Sequence, residues 1–227
     1  QDYDHFEVIV SDDSPHDEIR NIAGSFQSPR LRYVKNSQPL GLIPKLNWFL
    51  SEAKGGWVVV LCDDDRLGPG YLKTLASHIA RYPEASLVRS RYRLINHAGV
   101  TMRLDSENPA VMDPFEATSK VFLPHRQTYA MNITGVLFKK EILKKSGGFT
   151  NLYDGLYTDR LAWASLGTAG ATLFENEPLC SIRIHPGSVS GGFKGDYEKS
   201  IEAALEMEKF SKDLIAALAK KASSPRE

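Results

Sequence analysis

The sequence predicts an α/β fold in which helices flank a mostly parallel sheet, followed by a C-terminal helix. Short apolar runs rich in β-branched residues alternate with segments that carry apolar residues at helical spacing, which is the pattern of βαβ units. Acidic clusters follow two of these apolar runs. The chain has 227 residues, 42% of them hydrophobic and 25% charged, which suits one large domain with a buried core.

The first half of the chain alternates regularly between predicted strands and helices. The opening apolar run stops at turn and capping residues, as a buried strand does before a helix. Gly55 and Gly56 end the second helix, and the run directly after them is the strongest predicted strand. In chain order we predict a strand at 6–10, a helix at 17–25, a strand at 31–34, a helix at 42–53, a strand at 57–61, a helix at 71–80 and a strand at 86–94.

The second half is less regular and ends in a predicted amphipathic helix at 196–221, which has one broad apolar face. The polar face of that helix mixes Glu with Lys and is not strongly basic, which favours packing on the domain or a homodimer over a membrane-surface helix. Before it we predict loop and short ribbon at 96–113, a helix at 114–122, a strand at 132–138, a short helix ending at 147–148, a helix at 158–166, a strand at 171–174 and an extended segment at 179–190.

Composition and charge argue against several classes of protein. Lys and Arg together number 28, as do Asp and Glu, so the formal net charge is zero and no nucleic-acid partner is expected. The two cysteines, Cys62 and Cys180, do not suggest a disulfide framework and fit a reducing compartment. No apolar run reaches the roughly 18 residues of a membrane span, and residues 1–5 are too polar for a signal peptide. We expect a cytoplasmic protein, with peripheral membrane attachment as an alternative.

Three consecutive carboxylates, Asp63, Asp64 and Asp65, follow the strongest predicted strand. Like charges held together repel one another, and a cation relieves the repulsion. Oxygen ligands at a strand end suit Mg²⁺ or Mn²⁺ carrying a phosphate. A solvated turn in which Asp65 caps the next helix explains the same residues without a metal, and both interpretations stay open at this point.

A second acidic cluster, Asp12 and Asp13, follows the first predicted strand. Asx turns and helix caps explain such a pair without any function. The position of this pair nevertheless favours a functional role, because both acidic clusters are expected at the carboxyl edge of the sheet, where open parallel sheets bind ligands. A nucleotide is able to span the two clusters there, with Asp13 accepting a base N–H and the later acids holding the metal of the diphosphate.

Three later residues complete the set of candidates. Asp159 lies where a predicted helix begins, a position at which a carboxylate often only stabilises the helix dipole. Arg183 and His185 are two residues apart in an extended segment, so their side chains share one face. That pairing suits a phosphate or metal contact, although an ordinary surface histidine is the alternative.

Five segments along the chain, in this order, resemble those of family 2 nucleotide-sugar glycosyltransferases of the GT-A fold. They are FEVIVSDDS at 6–14, LG at 40–41 through Asn47 with AKG at 53–55, LCDDD at 61–65 with Pro69 four residues on, GGF at 147–149 with TD at 158–159, and RIHPGS at 183–188. The resemblance covers most of residues 1–190. It implies a Rossmann-like, mostly parallel sheet flanked by helices.

The resemblance also implies a role for each matching residue in an inverting transfer from a nucleotide-diphosphate sugar to an acceptor hydroxyl. Asp159 would be the general base that deprotonates the acceptor. A Mn²⁺ or Mg²⁺ cofactor would neutralise the diphosphate leaving group. Nucleotide contacts are implied for Asp12, Asp13, Lys45 and Asp63, metal contacts for Asp64, Asp65 and His185, and substrate contacts for Thr134, Gly135 and Arg183.

The sequence departs from the family pattern in two places. Cys62 stands where many members carry the first Asp of the DxD motif, so the acids that bind metal are two of the three that follow. Family members also open with a further strand and helix ahead of the position of Gln1, and such a unit takes about 30 residues. We therefore expect residues 1–195 to form an N-terminally incomplete GT-A domain, and residues 196–227 to form a helix and a disordered tail.

Other functions remain as alternatives. A non-catalytic sugar-nucleotide-binding protein would share the same nucleotide site. A sugar-nucleotide nucleotidyltransferase uses similar acids but needs a basic, glycine-rich phosphate loop, and a receiver-like signalling module is about half this length. For the transferase, the acceptor is a saccharide, a lipid-linked glycan or a protein, with polysaccharide biosynthesis at the cell envelope as the expected context.

Overall fold

The structure is a computed structural model that describes residues 1–114, 116, 132–150, 155, 157–185, 205, 208–214 and 216. The strands are β1 (Val8–Asp12), β2 (Leu31–Lys35), β3 (Trp57–Val59), β4 (Arg66–Leu67), β5 (Ala85–Ile95), β6 (Thr101–Leu104), β7 (Val111–Met112), β8 (Val136–Lys139) and β9 (Ala171–Arg183). The helices are α1 (Glu18–Ser25), α2 (Leu42–Glu52), α3 (Tyr71–Arg81), α4 (Lys140–Lys145) and α5 (Thr158–Gly167).

The described strands form two sheets. Strands β1 and β2 pair in parallel, with Val8 opposite Leu31. The larger, seven-stranded sheet has the order β3-β8-β5-β9-β4, with β6 added to β5 and β7 added to β9. The two sheets meet where Glu7, just before β1, accepts hydrogen bonds from the backbone N–H groups of Lys54 and Gly55, just before β3. Strands β1 and β3 therefore start side by side.

The predicted α/β class is confirmed, but the expectation of a mostly parallel sheet is wrong for the described strands. Only β1–β2 and β5–β9 pair in parallel, whereas β3–β8, β4–β9, β5–β6, β5–β8 and β7–β9 pair in the antiparallel sense. The physical reason is that hydrophobic periodicity identifies a strand without fixing its direction. Strand β8 enters between β3 and β5 in the opposite direction, and β6 folds back on β5 through the tight turn at 96–99.

Two elements near the site differ from the sequence expectation. The predicted strand at 171–174 and the extended segment from 179 are one continuous strand, β9. Register shifts against β5 at Ser90 and Arg91 absorb the residues that lead up to Pro178, as a bulge does. Strand β4 was not predicted, because two residues are too few to show a period. The predicted helix at 114–122 and the segment at 186–190 lie almost entirely outside the described residues.

The core has a large hydrophobic cluster on each side of the large sheet, and Met112 and Phe174 form a further small one. Alternation along the strands sends Leu87 and Phe138 to a first face, which packs against α2 and α5. It sends Val88 and Leu137 to a second face, which packs against α3. Residues 208–214 of the C-terminal segment are helical, and Phe210 and Leu214 pack against the first-face cluster. Among the described residues no helix is both long and apolar enough to cross a bilayer.

Candidate active site

The acidic loop at 63–65 is anchored at the end of β3 by contacts with Thr134. Val60 bridges to Thr134, and the backbone N–H of Cys62 donates a hydrogen bond to its Oγ1 over 3.1 Å. The N–H of Asp65 closes the turn on the carbonyl of Cys62 at 3.1 Å. The three carboxylates are therefore held at one edge of the sheet, as the sequence predicts.

The side chain of Asp64 points outward and meets His185. Oδ2 of Asp64 lies 2.7 Å from Nε2 of His185, and the side chains are 46% and 28% exposed. Two ligands of one divalent ion, each about 2.1 Å from it and at a right angle, lie about 3 Å apart, so this pair fits a shared cation. Within the part of the chain that the structure describes, no group of three or more His, Cys, Asp and Glu side chains is gathered as a ready-made metal site.

The side chain of Asp65 turns inward, whereas Asp63 is exposed. Oδ1 of Asp65 accepts a hydrogen bond from the backbone N–H of Arg183 over 2.8 Å. Burial raises the pKa of Asp65, although hydrogen bonds from Thr134 and from the Arg183 backbone oppose the shift. Asp65 thus joins the loop to the end of β9, and Asp64 is the acid that faces His185.

Arg183 ties the acidic loop to the turn between β5 and β6. Its Nε donates to the carbonyl of Asp64 at 3.0 Å, and its Nη1 donates to the carbonyls of Asn96 and His97, each at 2.8 Å. These acceptors are backbone groups of the protein. These contacts indicate that Arg183 positions the acidic loop. The resemblance to the family implies a substrate contact as well.

Asp12 is a buried acid with three donors around it. Its carboxylate accepts hydrogen bonds from Tyr33 Oη at 2.6 Å, from Ser14 N at 2.8 Å and from Lys35 Nζ at 3.0 Å. These donors, Tyr33 and Ser14 first, hold the pKa of Asp12 well below its usual value. Its side chain is only 2% exposed, so the contacts shown shape the turn after β1.

Asp13 and Lys45, both predicted to contact nucleotide, lie against each other. Oδ2 of Asp13 is 2.6 Å from Lys45 Nζ. Asn36 Nδ2 donates to Asp13 over 2.6 Å, and the N–H of Leu40 over 3.3 Å. Burial alone would raise the pKa of Asp13, but Lys45 and Asn36 outweigh it and hold the pKa below its usual value. A half-buried, charged pair therefore stands at the ends of β1 and β2.

Asp159 lies in the first turn of α5, which starts from an unusual backbone conformation. Tyr157, just before the helix, has a φ of 62°, in the left-handed region that few non-glycine residues adopt. Oδ1 of Asp159 accepts a hydrogen bond from the N–H of Arg160 at 2.8 Å. Burial raises the pKa of Asp159 against that bond and the charge of Arg160. A raised pKa at a helix start is what a proton acceptor near neutrality needs.

Thr134 and Gly135 sit between the two cysteines. Gly135 has a φ of 86°, and a Cβ on it would lie 2.5 Å from Sγ of Cys180. Only glycine fits there, because the backbone just before β8 lies against the Cys180 side chain of β9. Thr134, which the resemblance assigns to substrate, here orders Cys62 and the acidic loop.

Some residues of the site were missed in the sequence. Lys35 and Asn36 end β2 beside the acids that end β1, and the parallel pairing of two consecutive predicted strands was the signal that would have found them. Asn47 was noted only as part of a resembling segment. Its side chain forms hydrogen bonds with both the N–H and the carbonyl of Phe149, each at 2.8 Å. The two residues are 102 positions apart, so no local sequence pattern predicts this contact.

The chain matches the family model described as Glycosyl transferase family 2 over residues 1–146. It is also 27% identical over 193 residues to the uncharacterized protein MT1568 of Mycobacterium tuberculosis, a match that covers 79% of this chain and 58% of that protein. The chain thus spans somewhat more than half the length of this curated relative.

Solved structures of glycosyltransferases share the fold. TarS of S. aureus, residues 1–349, superposes with a TM-score of 0.65 at 18% identity, covering 91% of this chain and 58% of that one. Its complex with UDP superposes with a TM-score of 0.63 at 17% identity, covering 95% and 63%. Mannosyltransferase PcManGT from Pyrobaculum calidifontis, in complex with GDP-Man and Mn²⁺, gives 0.58 at 17% identity, covering 100% and 69%. The fold is that of GT-A glycosyltransferases, and the chain belongs to glycosyl transferase family 2.

Proposed function

We propose that this protein is an inverting glycosyltransferase that moves a sugar from a nucleoside-diphosphate donor to an acceptor hydroxyl with a divalent metal. The observation that supports this most is the pairing of Asp64 with His185 at the end of β3, 2.7 Å apart and open to solvent. Metal-dependent nucleotide binding and a separate base are the two parts such a reaction requires.

The donor nucleotide would bind along the ends of β1 and β3. Asp13 and Lys45 stand there as a half-buried pair, and either is able to exchange its partner for a base or a phosphate. Asp63 is exposed and does not face His185, which makes it the candidate for the ribose hydroxyls. The similar fold of TarS in complex with UDP and of the mannosyltransferase in complex with GDP-Man supports a nucleotide donor.

Asp64 and His185 would hold the metal, with Asp65 as a neighbour that fixes the loop. Mg²⁺ is usually bound by one or two carboxylates together with substrate phosphates, and an imidazole beside a carboxylate also suits Mn²⁺. When bound, the ion neutralises charge that develops on the departing diphosphate. The Mn²⁺ in the mannosyltransferase complex supports the use of a divalent metal.

Asp159 would remove the proton from the acceptor hydroxyl. That oxygen then bonds to the anomeric carbon as the bond from this carbon to the diphosphate breaks, and the proton stays on the Asp159 carboxyl. The position of α5 supports this role. Ser86 Oγ donates to the carbonyl of Leu166 at 2.6 Å and fixes the far end of the helix. Asp159 is in the first turn of the same helix, about 10 Å from Leu166 along the helix axis at 1.5 Å per residue, and so lies away from the Ser86 end.

Isothermal titration calorimetry with UDP and with GDP, with and without Mn²⁺, tests the donor site. We expect saturable binding of one nucleotide that strengthens at least tenfold with Mn²⁺. Asp64→Asn should remove the Mn²⁺ effect, because it removes the carboxylate beside His185. Asp17→Asn is the matched control, since that exposed acid lies away from the site on the turn before α1.

Hydrolysis or transfer of the sugar from a nucleotide-sugar donor tests the base. We expect Asp159→Asn to lower the turnover by at least a hundredfold, in the range that general bases contribute, while nucleotide affinity stays within twofold. A complete lack of nucleotide binding in the wild type would contradict the whole proposal. An Asp159→Asn variant that loses nucleotide binding would contradict the role of base.

A further inference from the structure

We propose that Tyr157 is a positioning residue for Asp159: its ring holds the guanidinium of Arg160 and thereby keeps that cation from pairing with the Asp159 carboxylate. The three residues lie together at the start of α5. The consequence for catalysis rests on the proposed transferase function, whereas the contact between Tyr157 and Arg160 does not depend on it.

Tyr157 is an unfavourable residue for the place that it occupies. It is the N-cap of α5, and its carbonyl accepts a hydrogen bond from the N–H of Leu161 at 3.1 Å. N-caps are normally small or polar residues, most of which bond through the side chain to a free N–H of the first turn, and Tyr157 forms no such bond. Its φ of 62° is also costly for a bulky residue. A residue that breaks two local preferences beside a candidate base points to a function for its side chain.

The path of the chain before α5 explains the backbone of Tyr157. Gly155 has a φ of 93°, and a Cβ on it would lie 3.1 Å from Cδ2 of Leu42 on α2. The chain therefore passes close to α2 and has to turn into α5 within a few residues. The left-handed conformation of Tyr157 completes this turn, and its ring lies beside the first turn of the helix.

The ring of Tyr157 contacts the guanidinium of Arg160. Cζ of Arg160 lies 5.0 Å from the ring centroid, within the roughly 6 Å over which a cation–π contact is favourable. Asp159 is next to Arg160 in the chain and accepts a hydrogen bond from its backbone N–H at 2.8 Å. The guanidinium itself forms no ion pair with Asp159 or with another carboxylate of the described residues. The cation is thus held on the ring, although a carboxylate lies close by.

The other charged groups near α5 have partners of their own. The elements packed against α5 are α2, β5, α4 and the helical residues 208–214, and they meet it through the apolar first-face cluster. The charged pairs on these elements are Lys45 with Asp13, Arg89 with Asp105, Lys140 and Lys144 with Glu141, and Lys212 with Glu208. Among the described residues, Arg160 is the charged side chain that acts on the pKa of Asp159.

The contact on Tyr157 leaves Asp159 suited to act as a base. Burial raises the pKa of Asp159, and Arg160 opposes this rise only in part. A direct ion pair lowers the pKa of a carboxyl group by about 1–3, and a carboxylate with a lower pKa is a weaker base. By holding the guanidinium on its ring, Tyr157 preserves the basicity that the removal of a proton from the acceptor needs.

Carbon-13 NMR of protein labelled at the aspartate carboxyl groups tests the contact without any need for turnover. Loss of one signal in Asp159→Asn identifies Asp159. We expect the pKa of Asp159 to fall by at least about 1 in Tyr157→Asn, because the guanidinium is released to pair with the carboxylate. Tyr157→Phe is the matched control and should keep the wild-type value, because it keeps the ring. Asn suits both an N-cap and the left-handed region, so Tyr157→Asn should fold with a Tm at least equal to that of wild type.

A double-mutant cycle shows whether Tyr157 acts through Arg160. Arg160→Gln removes the cation and keeps the backbone N–H, so the pKa of Asp159 should rise in this variant. In the Arg160→Gln background, Tyr157→Asn should have no measurable effect on the pKa. A fall of the same size in that background overturns the proposal, and so does a wild-type pKa in the single variant Tyr157→Asn.

Hydrolysis of UDP-glucose and of GDP-mannose across a range of pH links the contact to catalysis. In Tyr157→Asn the acid limb of kcat should move to lower pH together with the pKa from NMR. Near neutral pH, kcat should fall by roughly threefold or more, because the base is weaker, while KM for the donor stays within twofold. If the pKa falls but the acid limb does not move, the catalytic role of the contact is overturned. If the pKa falls but the wild type turns over neither donor, the contact stands and the transferase function fails.

Discussion

Asp12 and Asp159 are two carboxylates whose pKa values the protein shifts in opposite directions. Asp12 is surrounded by donors, which stabilise its charged form, with Tyr33 and Ser14 contributing most. Asp159 accepts a backbone hydrogen bond from Arg160, but partial burial outweighs it and destabilises the charged form. The first environment suits a structural anchor, and the second suits a group that exchanges a proton.

We predict that Asp12→Asn lowers Tm by roughly 2–4 °C at pH 7, because it removes the charge that faces Lys35 and weakens the bond from Tyr33. A depressed pKa stabilises the fold above the pKa of the unfolded chain, and this contribution is lost as pH falls through the folded pKa. The gap in Tm between variant and wild type should therefore narrow below about pH 4. Thermal melts across pH check this. Asp17→Asn should leave Tm nearly unchanged, and an Asp12→Asn variant as stable as wild type would contradict the anchoring role.

We predict that kcat of the sugar transfer falls on acidification with a midpoint above the ordinary aspartate range, because Asp159 must be ionised to act as a base and burial raises its pKa.

The contribution of Asp159 to the stability of the fold changes with pH in the opposite direction. A raised pKa contributes stability at low pH that is lost as pH rises through the folded pKa. Asp159→Asn should therefore gain about 1 kcal/mol at pH 7, as replaced active-site charges often do. A pH–rate profile and paired melts measure both effects. The same acid limb in Asp159→Asn would show that another group titrates.

At the scale of elements, one side chain joins α2 to the loop that leads to α5. Asn47 donates to the carbonyl of Phe149 and accepts from its N–H. Gly148 has a φ of 78°, and a Cβ there would collide with the Asn47 side chain. Gly148 is thus needed for this close approach as well as for the turn, whereas Gly147 is needed only for the positive φ of the turn. Phe149 in turn packs edge-to-face on Phe138 and Trp163 in the first-face core.

We predict that Asn47→Ala costs about 1–3 kcal/mol of stability, because it leaves two buried backbone groups of Phe149 without their partner. The loop before α5 should loosen as well, so kcat should fall more than nucleotide affinity does. Urea unfolding, together with transfer kinetics, measures both. Asn21→Ala on the exposed side of α1 is the control. An unchanged midpoint for Asn47→Ala would mean that other contacts hold the loop.

At the scale of the whole molecule, the acids that leave the net charge at zero are unevenly placed. Asp63, Asp64 and Asp65 sit at the end of β3, while Arg66 and Arg183 lie just beyond them on the β4 and β9 side. A nucleotide with its metal would join these regions, so its binding should stabilise the entire fold.

We predict that UDP or GDP with Mn²⁺, at about one hundred times the dissociation constant, adds about 2.7 kcal/mol to the free energy of unfolding. For a chain of this size that raises Tm by roughly 5–11 °C. Thermal melts with the nucleotide, the metal, both and neither give the comparison. Asp64→Asn should keep the melt of the free protein and lose the gain from the metal. A gain of equal size in Asp64→Asn would place the metal elsewhere.

The class of fold and the members of the candidate site could be predicted from the sequence. Strand and helix signals are local, and the acids follow directly on apolar runs, so their place at strand ends was predictable. The pairing of Asp64 with His185 spans 121 residues, and the pairing of Asp13 with Lys45 depends on how β1 and α2 pack. The predicted helix at 114–122 stays a prediction.

The sequence by itself determined the alternation of strands and helices and the two acidic clusters, because hydrophobic periodicity and turn-forming residues are local features of the sequence. Only the tertiary structure decided the direction of β8, the inward turn of Asp65 and the pairing of Asp64 with His185. These depend on strand order and register, which set the end of β9 beside the acidic loop at 63–65. Local patterns cannot specify such contacts, since the chain between the partners is free until the sheet forms.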